Sequence, residues 1–454
     1  MCRCKTKSVC INGDMPDNRV RIMAKRSHKS GNSKCRDRLE LYPSLSVQQH
    51  RIQLQARFVD LFDPVGTGST FCEAIGVGQA LLDRSLPACV AADALCILQV
   101  GLTYSDDAFL RQYTALYCKA LGLLADSIAR AHPVHMQLTP AYILGICEYQ
   151  HHSAHGDTRW LIHGNGMTQI FSRSLTFFST ATWPGYARFW RFMLNYGFTV
   201  RLGILPQSWL LLRHIDDNVD PVTAASLRVP GWLAKLDHFH LHDPDSNKCT
   251  QAGKNVRMVM KGALNTRKNI LSALDLWASE DFPNSYITVD RVSAFGAFSK
   301  QCGKLRIAFP CAYRFQTQAS AKIYRTAWIS LLLLDQALLR SIDDLTAFGE
   351  HGIKQDLPEF ADVVQLSSTT ANLRAECLEC ARNLSQSLAY MMLPVNKAIG
   401  TITAVQSLYF LEKYYELQGR GLETAWCQQL SRAISPQQQC NTSKRGFRAL
   451  HQRP

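Results

Sequence analysis

The stretch LTPAYILGICEYQHHSAHGDTRWLIHGNGMTQIFSRS, residues 138–174, decides the fold. It reads as two helices joined by a polar, His-rich turn. Thr139 can cap the first helix, because its hydroxyl accepts a bond from an orphan backbone N–H. Pro140 then suits the first helical position, where its missing N–H costs nothing. Ile143, Leu144 and Cys147 follow at helical spacing. The second helix is offered a start at Asp157. It buries Trp160, Met167, Ile170 and Phe171 at steps of three, four and seven. Gly164 lies four residues after Trp160, on the same face, where a small residue lets a neighbouring helix come close. The pair is predicted to form an αα-hairpin.

Outward from this hairpin the same period recurs. Residues 81–103 mix apolar and small residues at helical steps and read as a buried helix. Residues 108–131 are amphipathic, with Leu110, Tyr113, Tyr117, Leu121, Leu124 and Ile128 on one face, and His132-Pro133 ends them. Residues 184–205 carry Tyr186, Phe189, Trp190 and Phe192. Residues 221–230 read as a loop and 237–250 as an exposed linker. Further helices are predicted over 258–276, 319–339, 371–392, 398–417 and 422–434, the last after Gly419 and Gly421. No convincing run of strands appears. The expected fold is all-α, with antiparallel helix pairs packed into one large helical domain.

The hydrophobic content of 46% against 19% charged residues is that of a chain that buries a core. No apolar run is read as long enough to span a bilayer; the best, residues 328–339, is cut by Asp335. The first residues are polar and basic, without the apolar core of a secretory signal. The sixteen cysteines are scattered, with Cys96, Cys118 and Cys147 inside apolar helical patterns. That suits buried, reduced thiols in an intracellular protein. The net charge of +14 is confined to the ends: +8 in residues 1–38 and +4 in residues 441–454, with the long middle nearly neutral. Basic ends suit an acidic partner, either nucleic acid or an import receptor, or form solvated tails. The expected organisation is a basic arm over 1–57, a helical domain over 58–434 and a basic tail over 435–454.

Glu148 after an apolar helix, a polar gap, and then Trp160-x-x-His163-x-x-Gly166 resemble the regulatory domain of fungal-specific transcription factors of the six-cysteine binuclear-zinc class. LRAECLECARNLSQSLAYMM (373–392) and GLETAWCQQLSRAI (421–434) are similar, in order and spacing, to the closing helices of that domain. The resemblance covers roughly residues 58–434. It implies a nuclear, non-catalytic regulator of metabolic or secondary-metabolite biosynthetic genes. Its partners would be DNA, bound directly or through a finger-bearing partner, other transcription proteins and a small-molecule effector, with no membrane. It also implies that Glu148, Trp160, His163 and Gly166 serve the structure.

The zinc finger itself is degenerate or missing. Cys4 and Cys10, followed by Asp14 and Pro16, faintly resemble the end of its first half-motif. Cys2 and Cys4 are separated by one residue instead of two, and no Cys-x-x-Cys follows. With Cys35 the arm holds four cysteines, too few for a cluster in which six hold two zinc ions. Zinc enters only if these thiolates form a site of their own. Residues 19–38 are basic without Phe, Tyr or Trp, which provides for phosphate contact but not base stacking. Lys25-Arg26 and their neighbours fit a nuclear-import address equally well.

Other constellations invite chemistry. His151, His152, His155 and His163 are metal-ligand types, yet no carboxylate pattern accompanies them, and packing is the expected role of His163. His238, His240 and His242 would share one face of a strand. Asp216-Asp217-Asn218-Val219-Asp220 resembles the magnesium-binding run of a class I terpene synthase, though Pro221 follows at once and no second metal motif is found. Such an enzyme, using Asp216, Asp217 and Asp220, is one alternative; a helical interaction scaffold without DNA is another. Asp343-Asp344 reads as a helix start, and Cys377 and Cys380 as buried thiols. Gly76-Val77-Gly78-Gln79-Ala80 lacks the Lys of a phosphate loop.

Overall fold

The computed structural model describes residues 47–62, 87–152, 159–172, 186–201, 219–239, 249–280, 286–296, 298, 300, 308–350, 363–393 and 396–434. The chain divides into the units Met1–Ile52 and Gln53–Pro454. Of the first, only the opening of helix α1 (Val47–Phe62) is described; everything that follows belongs to the second. The predicted arm cysteines, the 19–38 basic stretch, Gly76–Ala80 and the 435–454 tail lie outside the described residues.

The fold is all-α, with one small antiparallel sheet. At its centre is α2 (Pro87–Tyr104), where apolar and small residues occupy every face and 13 of 18 residues are buried. A helix apolar all round must be covered all round, and α3 (Asp107–Ala129) and α4 (Val134–His152) cover it. By length and composition α2 could also cross a membrane, which the sequence reading passed over; here it is mostly buried in the fold. Ser105 takes a left-handed backbone, and the Asp106 carboxylate accepts a bond from Ala108 N at 2.8 Å, starting α3.

The predicted start of the first hairpin helix is overturned. Helix α4 begins at Val134, and Pro140 lies inside it. The ring removes the N–H that would bond the carbonyl four residues back. Two things hold the turn regardless. Gln137 Nε2 donates to His132 O at 2.6 Å, and Leu138, Ala141, Ile143 and Leu144 are all buried. Helix α5 (Trp160–Ser172) packs on α4, as the hairpin reading requires. Its expected start at Asp157 is outside the described residues, and so is the side chain of Phe171. Trp160, Met167 and Ile170 are buried as predicted. Two exposures depart from expectation. Ile128 is 37% exposed at the end of α3, and Cys118 is exposed.

Helix α6 (Tyr186–Val200) crosses α5. The expected loop over 221–230 is mostly helix, in α7 (Pro221–Ser226) and the start of α8 (Val229–Phe239), and of the expected linker over 237–250 the residues 240–248 lie outside the described residues. Both prolines that suggested a loop sit where a helix accepts them, Pro221 directly after the Asp220 cap and Pro230 in the first turn of α8. Helix α9 (Cys249–Glu280) packs on α8 at Gly262, where a Cβ would lie 2.3 Å from the Trp232 ring. Trp232 Nε1 donates to Thr266 Oγ1 at 2.8 Å across the same contact.

The expectation of no strands is also corrected. β1 (Tyr286–Asp290) pairs with β2 (Cys311–Phe315), Tyr286 opposite Phe315, with the one-turn α10 (Arg291–Ala294) between them. About twenty residues separate the strands, so no tight turn signals them. Tyr286, Tyr313 and Phe315 hold the sheet against Tyr324 and Trp328 of α11 (Gln318–Glu350), ring centroids 4.9–6.4 Å apart. Asp343-Asp344 therefore lies inside a long helix and not at a helix start. Helix α12 (Val363–Met391) packs along α11 and against β2. Helices α13 (Lys397–Leu417) and α14 (Gly421–Ile434) close the fold. Gly419, with φ of 64°, ends α13 in the left-handed conformation that a glycine adopts without strain.

Candidate functional site

Of the Glu-Trp-His-Gly pattern, Glu148, His163 and Gly166 lie where α3, α4 and α5 converge, while Trp160 packs between α4 and α6. Gly145 on α4 makes the approach possible. A Cβ there would lie 3.0 Å from Phe192 and 3.3 Å from the Cβ of His163. Trp160 is buried edge-on against Tyr149, Phe192 and Tyr196, at 5.5, 5.8 and 6.4 Å between ring centroids. One helical turn on, Gly164 admits Tyr196. A Cβ at Gly164 would lie 2.1 Å from that ring, which bears out the close approach read from the sequence.

His163 is the polar centre. Its Nε2 is 2.8 Å from the hydroxyl of Tyr117, a residue of α3. The same hydroxyl hydrogen-bonds Glu148 of α4. Burial, this bond and the Glu148 charge push the Tyr117 phenol far up, so it stays protonated. Which of the Tyr117 hydroxyl and His163 Nε2 donates across their bond depends on the tautomer of the imidazole. Burial lowers the His163 pKa, with Glu148 opposing, and the ring is neutral at pH 7. Among the described residues Nδ1 has no hydrogen-bond partner.

Above this knot lies a half-open groove of about 150 Å³. Leu124 and Ile128 of α3 form one wall, and Ile162 and Ile170 of α5 the other. His163, Gly166 and Gln169 of α5 and Ala141 of α4 complete the lining. A Cβ added at Gly166 meets nothing within 4 Å, so this glycine leaves the groove open where Gly164 makes room for a tyrosine. Ile162 is 71% exposed at the rim. The sequence pattern supplied Glu148, Trp160, His163 and Gly166 but gave Tyr117 only a place on an apolar stripe. The available signal was a Tyr113/Tyr117 pair four apart on that stripe, two hydroxyls facing a core that must satisfy them.

The other candidates do not assemble. Asp220 caps α7: its carboxylate accepts from Thr223 N and Thr223 Oγ1, each at 2.8 Å, and pairs with Arg191 at 2.7 Å. Asp216 and Asp217 lie outside the described residues. His151 stacks on Tyr113 with centroids 5.4 Å apart. His155, His240, His242 and the side chain of His152 are outside the described residues. His238 is in helix α8, so the strand alternation fails there. Cys377 and Cys380 are buried free thiols, raised first by burial. They flank Asp335, whose carboxylate accepts from Arg267 Nε at 2.9 Å while Arg267 also pairs with Glu376. No group of three metal-ligating side chains occurs among the described residues. In comparisons with known proteins, no family model, no curated protein and no solved structure matches the chain.

Proposed function

We propose that this protein is a nuclear transcriptional regulator of metabolic or biosynthetic genes, acting through its helical domain and without catalysis. The observation that carries the reading is that Glu148 and His163 of the pattern share one polar knot with Tyr117, that His163 and Gly166 line the groove above it, and that Trp160 anchors the same hairpin against Tyr149 and Phe192. The basic ends support it further, as they supply electrostatic attraction to nucleic acid without a complete finger. The mechanism is then indirect. The helical body carries an effector or partner site, and a finger-bearing partner provides sequence-specific DNA contact.

The test is DNA binding by the full chain and by a version lacking residues 1–45, at two salt concentrations, with bound zinc quantified on the same samples. The expected result is weak binding that needs the arm, collapses with salt, and becomes sequence-specific only with a finger-bearing partner. Salt-resistant binding with about two zinc ions per chain would replace recruitment by direct contact. Absence of DNA association under every condition, and no nuclear accumulation, would overturn the reading.

A further inference from the structure

We propose that the buried guanidinium of Arg325 binds one small monovalent anion, with chloride as the type, where α6, α11 and α13 meet.

Arg325 lies on α11 and is 6% exposed. A positive charge taken out of water needs a countercharge or is held at a large cost. Its partners here are neutral. Nε donates to Ser407 Oγ at 2.8 Å, and Nη2 donates to Gln406 Oε1 at 3.0 Å and to Asn195 Oδ1 at 3.5 Å. The Tyr149 phenol, held protonated by burial, brings no charge either. Arg191, Arg201, Arg267 and Arg340 each pair with an aspartate. Among the described residues no carboxylate pairs with Arg325.

Donors remain for the missing charge. Nη1 has no hydrogen-bond partner among the described residues. A guanidinium only donates, so Gln406 must turn its amide oxygen toward Arg325 and its NH2 away. Gln406 and Asn195 are only half-buried, so the cluster reaches the surface. An ion beside Nη1 and the Gln406 amide meets N–H groups and a full positive charge. Its size and charge are bounded as well. The fork that grips a carboxylate or a phosphate through two parallel bonds is already taken at Nε and Nη2. One uncompensated cation balances a single negative charge, whereas a dianion would leave one unpaired beside the core.

The full chain is titrated with sodium chloride and followed by chloride NMR line broadening and by thermal unfolding, with ionic strength held by sodium gluconate. The parent is expected to show broadening that saturates and is reversed by bromide. Its folding constant is expected to rise about tenfold for each tenfold rise in chloride above saturation, as one-site linkage requires. Gln406→Glu sets a carboxylate of nearly the same size against Nη2. It is expected to be more stable than the parent at low chloride, and to lose both the saturable broadening and the chloride slope. Arg325→Met is expected to lose both as well. Broadening by the basic ends is common to all three chains and cancels in the comparison. No saturable broadening in the parent, a slope shared by the parent and Gln406→Glu, or a Gln406→Glu chain less stable than the parent at low chloride overturns the proposal. So does displacement of chloride by phosphate more readily than by bromide. Should Arg325→Met not fold, the Gln406→Glu comparison decides alone.

Discussion

Two glycines two residues apart on α5 should respond in opposite senses to the same substitution. At Gly164 a Cβ would lie 2.1, 2.5 and 2.6 Å from three ring carbons of Tyr196, where ordinary contact begins near 3.4 Å. The ring must retreat by roughly an ångström, yet it is buried and stacked edge-on against Trp160. Overpacking of this kind costs about 1–3 kcal/mol, and it outweighs most or all of the ~1 kcal/mol that alanine gains over glycine inside a helix. Gly166→Ala keeps that gain, because nothing lies within 4 Å of its Cβ. The two variants should therefore differ by about 1–3 kcal/mol, Gly164→Ala being the less stable. Urea unfolding followed by tryptophan fluorescence and far-UV circular dichroism measures the difference. Tyr196→Ala in the Gly164→Ala background should recover part of the cost, giving a coupling that an unrelated site would not show. Equal stability of the two alanine variants, or additive effects in the double variant, would refute the packing argument.

Four further outcomes follow from buried polar groups. Burial raises the Asp335 carboxyl to about 6, only partly countered by Arg267. The folded chain thus holds this proton more tightly than the unfolded one, and the group's contribution is greatest below pH 4 and lost as pH rises through 6. Roughly 3 kcal/mol is at stake, and urea titrations between pH 4 and 7 should lose that slope in Asp335→Asn; an identical slope would refute the assignment. Thr266→Val leaves the Trp232 indole N–H without its acceptor and should cost about 1–2 kcal/mol by thermal unfolding. Arg325, buried and held through Nε to Ser407 at 2.8 Å and through Nη2 to Gln406 at 3.0 Å, keeps its charge although burial lowers it to about 10. A lysine cannot reproduce that fork, so Arg325→Lys should cost about 1–3 kcal/mol, and a variant as stable as the parent would sink the idea. Tyr117→Phe removes the bridge between His163 and Glu148; it should destabilise by about 1–3 kcal/mol, and Glu148→Gln added to it should cost less than it does alone.

The helical class was legible because a period of 3.6 needs no tertiary information. The boundaries were less so, because the same residues serve two grammars. Thr139-Pro140 looks like a helix start, but the apolar face running from Leu138 to Cys147 outweighs one lost hydrogen bond and carries the helix through the proline. Pro221 and Pro230 read as loop because prolines break helices, yet in a first turn they cost nothing. The strand pair was hidden by distance along the chain, since a short aromatic run such as CAYRF declares itself only through the partner it finds. Asp335 seemed to interrupt an apolar segment. It is instead the buried counter-charge of an arginine 68 residues earlier.

For the site, the limit lay in what a stripe can say. The face of α3 from Leu110 to Ile128 was read as one apolar stripe of an amphipathic helix, but burial along a helix ends where the neighbour turns away. Ala131 takes a left-handed backbone just beyond α3 and redirects the chain into α4. Ile128, at the end of the stripe, consequently stands at the edge of a groove. Ile162 is exposed on the facing helix, and a Cβ at Gly166 on that helix meets nothing within 4 Å. Two apolar side chains therefore stand at one mouth above the Tyr117–His163 bond, leaving apolar surface in water that a larger residue at 166 would reduce.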